Sequence, residues 1–281
     1  MKFRTEIEPM RCTPIGADER IVLLGSCFAD NMGRRLAEYG FDVVSNPLGP
    51  LFNPFSTAAI AERALDGRLF RTDDLTRRGG TYHALFAAAR YHGDDSALLT
   101  EAINSVFTPL CDAMNGACTL FVTFGTAYTY RLLETGDIVA NCHKLHASEF
   151  SRERMSIEAI TTLWRPLLKR LDERGIRTIF TVSPVRHVAD GLHANNISKA
   201  TLLMAVESLE AEYFPAYEIL CDDLRDYRYY ASDMKHPSDS AIDYIYEKFA
   251  ETYFSPATKE TARLRHADFL RSAHLPTIPI L

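Results

Sequence analysis

The chain lacks the features that announce several large protein classes. It has no CxxC pair, no apolar run of the roughly 18 residues that a membrane span needs, and no GxGxxG or Walker pattern. Its six cysteines (Cys12, Cys27, Cys111, Cys118, Cys142 and Cys221) are scattered. They read as reduced thiols, most of them small core residues, rather than as a disulfide frame or a zinc knuckle. Basic residues form no stripe, and the net charge is -6, so nucleic acid is not an expected partner. The first residues, Met1-Lys2-Phe3-Arg4-Thr5-Glu6, carry charge where a signal peptide needs an apolar core. The expected setting is therefore cytoplasmic, with no membrane partner.

What is present is an ordinary globular chain of 281 residues, 47% apolar, with no internal repeat and no break in composition. Apolar runs ending in glycine alternate with helical patterns. Arg20–Leu24, Phe41–Val44, Cys118–Phe124 and Arg177–Val182 read as strands. Helices are expected from about Ala29 to Tyr39, Ser56 to Leu65, Ser96 to Met114, Ser156 to Gly175 (kinked at Pro166), from Ser198, and from Ser238. Tyr217–Cys221 reads as a short buried run, and residues 66–93 have no clear periodicity. Tyr128–Leu133 and Ile138–Asn141 read as a hairpin around Gly136. The pattern predicts an α/β fold: a mainly parallel sheet with helices on both faces. The expected organisation is one domain over 1–254, a hairpin insertion at about 128–141, and a C-terminal tail over 255–281.

In such sheets, sites form along the edge where the strands end. That edge collects Gly25-Ser26-Cys27, Gly49, Asn53, Gly125-Thr126 and Ser183, while Asp233 and His236 precede the last core helix. A nucleophile on an early strand-to-helix turn, followed late by Asp-x-x-His, supplies both ends of a nucleophile, base and orienting-acid relay. Read structurally instead, Ser26 is a helix cap, Cys27 fills core, Asp233 caps a loop and His236 is an extended residue before proline.

Gly25-Ser26-Cys27-Phe28-Ala29 is the signature of the GSCFA family, which is placed near the SGNH (GDSL-like) hydrolases. The resemblance continues through Asn46-Pro47, Gly49, Asn53-Pro54, Gly125-Thr126-Ala127, Asn141-Cys142-His143-Lys144, Ser183-Pro184-Val185-Arg186-His187, Ser198-Lys199-Ala200 and Asp233-Met234-Lys235-His236-Pro237-Ser238. It implies an SGNH-like, flavodoxin-like three-layer fold and an esterase, acyl hydrolase or acyltransferase. Laid on this sequence, the SGNH nucleophile falls on Cys27, with Ser26 in place of the usual aspartate. His236 is implied as the base and Asp233 as the residue that orients it. A thiol at a helix N-terminus is expected to fall below its free pKa of about 8.5; the competing nucleophile is Ser26, with His236 as its base.

The same resemblance implies oxyanion donors from the Cys27 N–H and Gly49, but Ala127 stands where a GxN turn supplies an asparagine. Asn53, Asn141 or the Thr126 hydroxyl must then replace it if the protein is an enzyme. His143 and Lys144 are expected pocket walls suited to an anionic substrate group, and Arg186, beside His187, is suited to a carboxylate or phosphate. A surface role for His143 and Lys144 and an ordinary salt bridge for Arg186 are the alternatives. No cofactor and no metal are implied; a metal site on His143, His146 and His187 is the least favoured reading. The expected substrate is a small-molecule or glycan acyl ester. The rival reading is a catalytically weak module that holds an acylated sugar or peptide in the same cleft.

Overall fold

The computed structural model describes residues 5–8 and 12–273. The end of the expected tail, 274–281, lies outside the described residues, as do 1–4 and 9–11 of the charged N-terminus. The chain opens with β1 (Ile21–Gly25), buried at every position, and α1 (Cys27–Glu38), capped by Ser26. Next come β2 (Val43–Ser45) and α2 (Pro54–Leu65), the latter capped by Asn53 with proline in its first turn.

Residues 66–93, without periodicity in the sequence, hold three short strands: β3 (Thr76–Arg78), β4 (Thr81–His83) and β5 (His92–Gly93). They form an antiparallel sheet of their own. Strands of two or three residues are too short to show an alternating pattern, which is why the sequence hides them.

α3 (Ser96–Ala113) leads into β6 (Cys118–Phe124). The hairpin is β7 (Tyr128–Leu132) with β8 (Ile138–Val139), and β9 (Phe150–Arg154) adds a third antiparallel strand that the sequence did not suggest. α4 (Ile157–Glu173) carries Pro166 within one helical span, and β10 (Ile176–Val182) follows.

α5 (Gly191–Ser208) begins well before Ser198, the residue expected to open it. Ser198 sits inside the helix, and its Oγ accepts from the Ala127 N–H at 2.8 Å rather than from its own helix. After β11 (Glu212–Tyr213), the run Tyr217–Cys221 is helical: α6 (Ala216–Glu218) continues into a π-helical segment, Ile219–Leu224. Short apolar runs do not distinguish helix from strand. The described chain ends in α7 (Asp239–Tyr253) and α8 (Pro256–Ala273). α8 leans on α1: His266 stacks on Tyr39 at 4.0 Å between ring centroids, and Arg265 donates to the carbonyls of Ala17 and Gly40.

The main sheet has the order β11-β10-β6-β1-β2, and all its pairings are parallel. Counted along the chain this is 2-1-3-4-5, the flavodoxin-like order, whose switch point lies between β1 and β6. Strand alternation divides the core into two layers. Val22, Leu24, Leu120, Val122 and Phe180 face the side covered by α2 to α5, while Ile21, Leu23, Phe121 and Ile179 face α1 and α7. Trp164 of α4 is fully buried, edge-on to Phe124 and Phe180, and its Nε1 donates to the Pro54 carbonyl. Burying an indole is worth of order 5 kcal/mol by area. It therefore fixes the end of β6 and the start of α2 together, next to the switch point.

Candidate functional site

At the switch point, β1 ends in a glycine that nothing else can replace. Gly25 has φ of +139°, and a Cβ there would lie 2.1 Å from the Thr123 carbonyl oxygen of β6. Asn46, buried and itself at φ +37°, braces this turn. Its Oδ1 accepts from the Gly25 N–H at 2.8 Å, and its Nδ2 donates to the Ser26 carbonyl and to Asp30. The chain therefore turns from strand into α1 with Ser26 and Cys27 at the corner.

Ser26 is fully buried, and its Oγ accepts from the Phe28 N–H as the helix cap. Cys27, the first helical residue, is partly exposed, with its own N–H and that of Phe28 directed at its sulfur. Its thiol does not behave as the helix end suggested. Burial, with Asp30 adding, pushes it up to about 11, and the nearby backbone N–H groups and Lys199 only partly oppose this. Desolvation of a thiolate outweighs the partial charge of one helix terminus.

Asp233 and His236 form a closed pair. Asp233 Oδ2 accepts from His236 Nδ1 at 2.6 Å, and Oδ1 accepts the N–H groups of Lys235 and His236 at 2.9 and 3.0 Å. These bonds hold the Asp233 carboxyl well below the usual carboxylate range. With Nδ1 committed as donor, the neutral tautomer leaves Nε2 as an acceptor. The loop is tied to the sheet edge, since the Arg186 N–H donates to the Lys235 carbonyl at 3.0 Å. No hydrogen bond joins His236 to Cys27 or Ser26 among the described residues.

His187 comes closer to the corner than the sequence indicated. Its Nε2 and Ser26 Cβ each lie 3.3 Å from the point a Cβ on Gly125 would occupy, and the Phe52 carbonyl oxygen lies 3.0 Å from it. Gly125 thus leaves room for three loops to meet. His187 Nε2 is buried with no partner. Burial, then Lys199, His236 and Arg152, drive the imidazole down to about 4, so it is neutral at physiological pH.

The other expected binding residues divide. The Gly49 N–H already donates to the Asn46 carbonyl at 2.7 Å. The Gly125 and Thr126 N–H groups both donate to the Phe52 carbonyl, and the Thr126 hydroxyl is shared between Ser198 Oγ and the Tyr128 N–H. Asn53 Oδ1 caps α2 through Ser56 N–H at 2.8 Å, whereas its Nδ2 has no partner among the described residues. Asn141 Oδ1 accepts from the His143 N–H in a local turn. His143 is buried, its Nε2 paired with the Ala87 carbonyl and its ring edge-on to His83, so it anchors its loop. Lys144 is exposed at φ +60°. Arg186 lies over the rings of Tyr230 and Tyr227, at 4.0 and 5.2 Å, with no ion pair among the described residues.

Lys199 was not singled out for a role, yet it is central. It is 1% exposed, and its Nζ donates to the carbonyls of Gly125 and Ser183, both at 2.7 Å, tying together the ends of β6 and β10. Burial brings its ammonium down to about 7. The signal was a lysine in register with Leu202 and Val206 on the apolar stripe of α5, where a charge is not expected. Among the described residues, no group of three or more His, Cys, Asp or Glu is placed to hold a metal ion. No described helix is long and apolar enough to cross a membrane.

The GSCFA family model matches residues 20–249. The chain belongs to the GSCFA family. Both halves of the site, from Gly25 to His236, lie inside the matched region. No curated protein matches the sequence. Among solved structures, the GSCFA chain is similar to the psychrotrophic esterase EstA from Pseudoalteromonas sp., in a comparison with TM-score 0.37 and 10% identity that covers 84% of this chain and 96% of that one. It is also similar to a candidate acylhydrolase from Bacteroides fragilis NCTC 9343, at TM-score 0.43 and 10% identity over 90% of this chain and 92% of that one. Likeness at this level carries no weight in assigning a reaction.

Proposed function

We propose that this GSCFA protein is an SGNH-like acyl hydrolase or acyltransferase that uses Cys27 as nucleophile, His236 as general base and Asp233 to orient it. The observation that carries the reading is the 2.6 Å Asp233–His236 pair on the same sheet edge as the Gly25-Ser26-Cys27 corner. Cys27 is preferred to Ser26 because the serine is fully buried and spends its hydroxyl on the helix cap.

Since burial holds the Cys27 thiol up, the resting nucleophile is the thiol, and attack needs a base in each turnover. As the Sγ–carbon bond forms, the thiol proton passes to His236 Nε2 and negative charge develops on the carbonyl oxygen. Collapse breaks the carbon–oxygen bond, and the leaving alcohol takes that proton. Water or another hydroxyl then attacks the thioester with His236 again as base, which restores the thiol. For the oxyanion, the Cys27 N–H at the start of α1 and Asn53 Nδ2 are the suitable donors, because Gly49 and Thr126 are already bonded.

The occupied Gly49 N–H and the raised thiol favour a second reading, a weak or inactive module that holds an acylated sugar or peptide in the same cleft. Labelling with an electrophilic acyl probe followed by peptide mapping separates the two. An adduct on Cys27 is the expected result; an adduct on Ser26 moves the nucleophile, and no adduct at either residue favours the binding module.

A further inference from the structure

Beneath the loop that carries His187 lies a cavity of about 170 Å³, with Arg186, Asn195, Asn196, Lys199, Tyr217 and Cys221 among its walls. Its composition is one-sided: two cationic side chains reach it, and no carboxylate lines it. Lys199, one of its walls, is fully buried, with two of its ammonium protons on the Gly125 and Ser183 carbonyls and no acidic partner among the described residues. An uncompensated charge in the interior is costly to keep. Arg186 is equally without an acid among the described residues; its guanidinium lies over the rings of Tyr230 and Tyr227, and the Tyr230 hydroxyl is its neighbour, so a carboxylate or phosphate would find a planar, permanently charged donor there. Asn195 fastens the cavity to the catalytic edge, since its Oδ1 accepts from the His187 N–H at 3.0 Å.

The volume decides what kind of ligand fits. Sites for whole small molecules run to roughly 300–1,000 Å³, so this cavity accommodates one charged group and not an entire ligand. We infer that it binds an oxyanion group, carboxylate or phosphate, carried on the acyl substrate, with Arg186 as the fork and Lys199 as the buried counter-charge. The inference rests on the acyl-transfer reading for its substrate and on the cavity itself for its anion.

Two arms test it on the full chain. In the binding arm, titration calorimetry with inorganic phosphate and with succinate reads the cavity whether or not the protein turns anything over. Binding is expected in the wild type, with a loss of at least about tenfold in Arg186→Met and a smaller loss in Arg186→Lys, which keeps the charge but not the fork. Circular dichroism checks that the variants are folded, and Asn196→Leu serves as an independent variant that crowds the cavity. No binding of either anion, or equal binding in all variants, overturns the site. In the kinetic arm, phenyl hydrogen succinate is compared with phenyl acetate. A preference for the charged ester that falls in Arg186→Met supports a substrate-borne group. Anion binding without such a preference, in a protein that hydrolyses both esters, overturns the substrate assignment. Absence of all hydrolysis with anion binding intact refutes the acyl-transfer reading, and with it the substrate-borne assignment, while leaving the anion site standing.

Discussion

Under the proposed mechanism Asn53 has two separable jobs, helix cap and oxyanion donor, and replacing it by aspartate divides them. Its Oδ1 caps α2 through the Ser56 N–H at 2.8 Å, in a residue only 3% exposed, while its Nδ2 has no partner among the described residues and is the donor proposed for the oxyanion. Asn53→Asp keeps the acceptor and converts the donor into a second acceptor. Asparagine and aspartate cap helices about equally well, so the expected stability cost is that of burying a carboxylate at a position only 3% exposed, about 1–3 kcal/mol. Removing one oxyanion donor costs about 2.7–4 kcal/mol, or about 10²–10³ in kcat, and the added negative charge works in the same direction. Asn53→Ala loses both functions and should also destabilise the fold by about 1 kcal/mol. Urea denaturation and phenyl acetate hydrolysis, run on the same preparations, read the two effects separately. If Asn53→Asp keeps kcat within about threefold of wild type, the oxyanion assignment is refuted, because a donor of that kind carries about a hundredfold or more.

Other outcomes follow from the same geometry. Iodoacetamide should alkylate Cys27 slowly near neutral pH, because a thiol at about 11 is about 10⁻⁴ thiolate at pH 7, and the rate should climb about tenfold per pH unit; fast, pH-independent labelling at pH 7 contradicts the raised pKa. His236→Ala should lower ester hydrolysis by about 10²–10⁴-fold while leaving Cys27 alkylation in the free protein unchanged, since no hydrogen bond links the two at rest. Gly25→Ala should cost about 3 kcal/mol or more, because its Cβ would meet the Thr123 oxygen at 2.1 Å at a φ of +139°; a variant as stable as wild type in a thermal melt would contradict that packing. His187 is depressed to about 4 in the fold, so the unfolded chain takes up its proton first as pH falls. The stability linked to His187 is complete above about pH 6.5 and is lost as pH falls towards 4, so wild type should lose about 2 kcal/mol between pH 7 and 5 that His187→Gln does not.

Much of the fold was legible because its strands are long and doubly buried. β6 and β10, seven residues each, stand out as apolar runs closed by glycine or serine, and glycine marks the end of β1 as well. The three strands between 76 and 93 were not legible, because runs of two or three residues carry no period. Ser198 was misread for a physical reason too: a hydroxyl preceding an apolar stripe looks like a cap, but here it serves a neighbouring loop through the Ala127 N–H. At the site, the residue types and their order along the edge were readable, while the hydrogen-bond commitments of Gly49 and Thr126 were not. Those commitments arise from loops folding back on one another, which a linear pattern does not encode.

The thiol at Cys27 shows how that difference bears on function. From sequence, the start of α1 argues for stabilising a thiolate; in three dimensions, the same position is desolvated and sits near Asp30, and the balance reverses. The nearby charges that favour the anion are limited to one buried lysine, which is itself drawn down to about 7. An oxyanion group seated against Lys199 would hold that lysine in its charged form, because an anion beside an amine favours its protonated state. Lys199 would then stay charged where it grips the Gly125 and Ser183 carbonyls, with its charge balanced by the bound anion. On this view the resting protein keeps its thiol protonated, and formation of the attacking thiolate depends on the base His236 rather than on the local field.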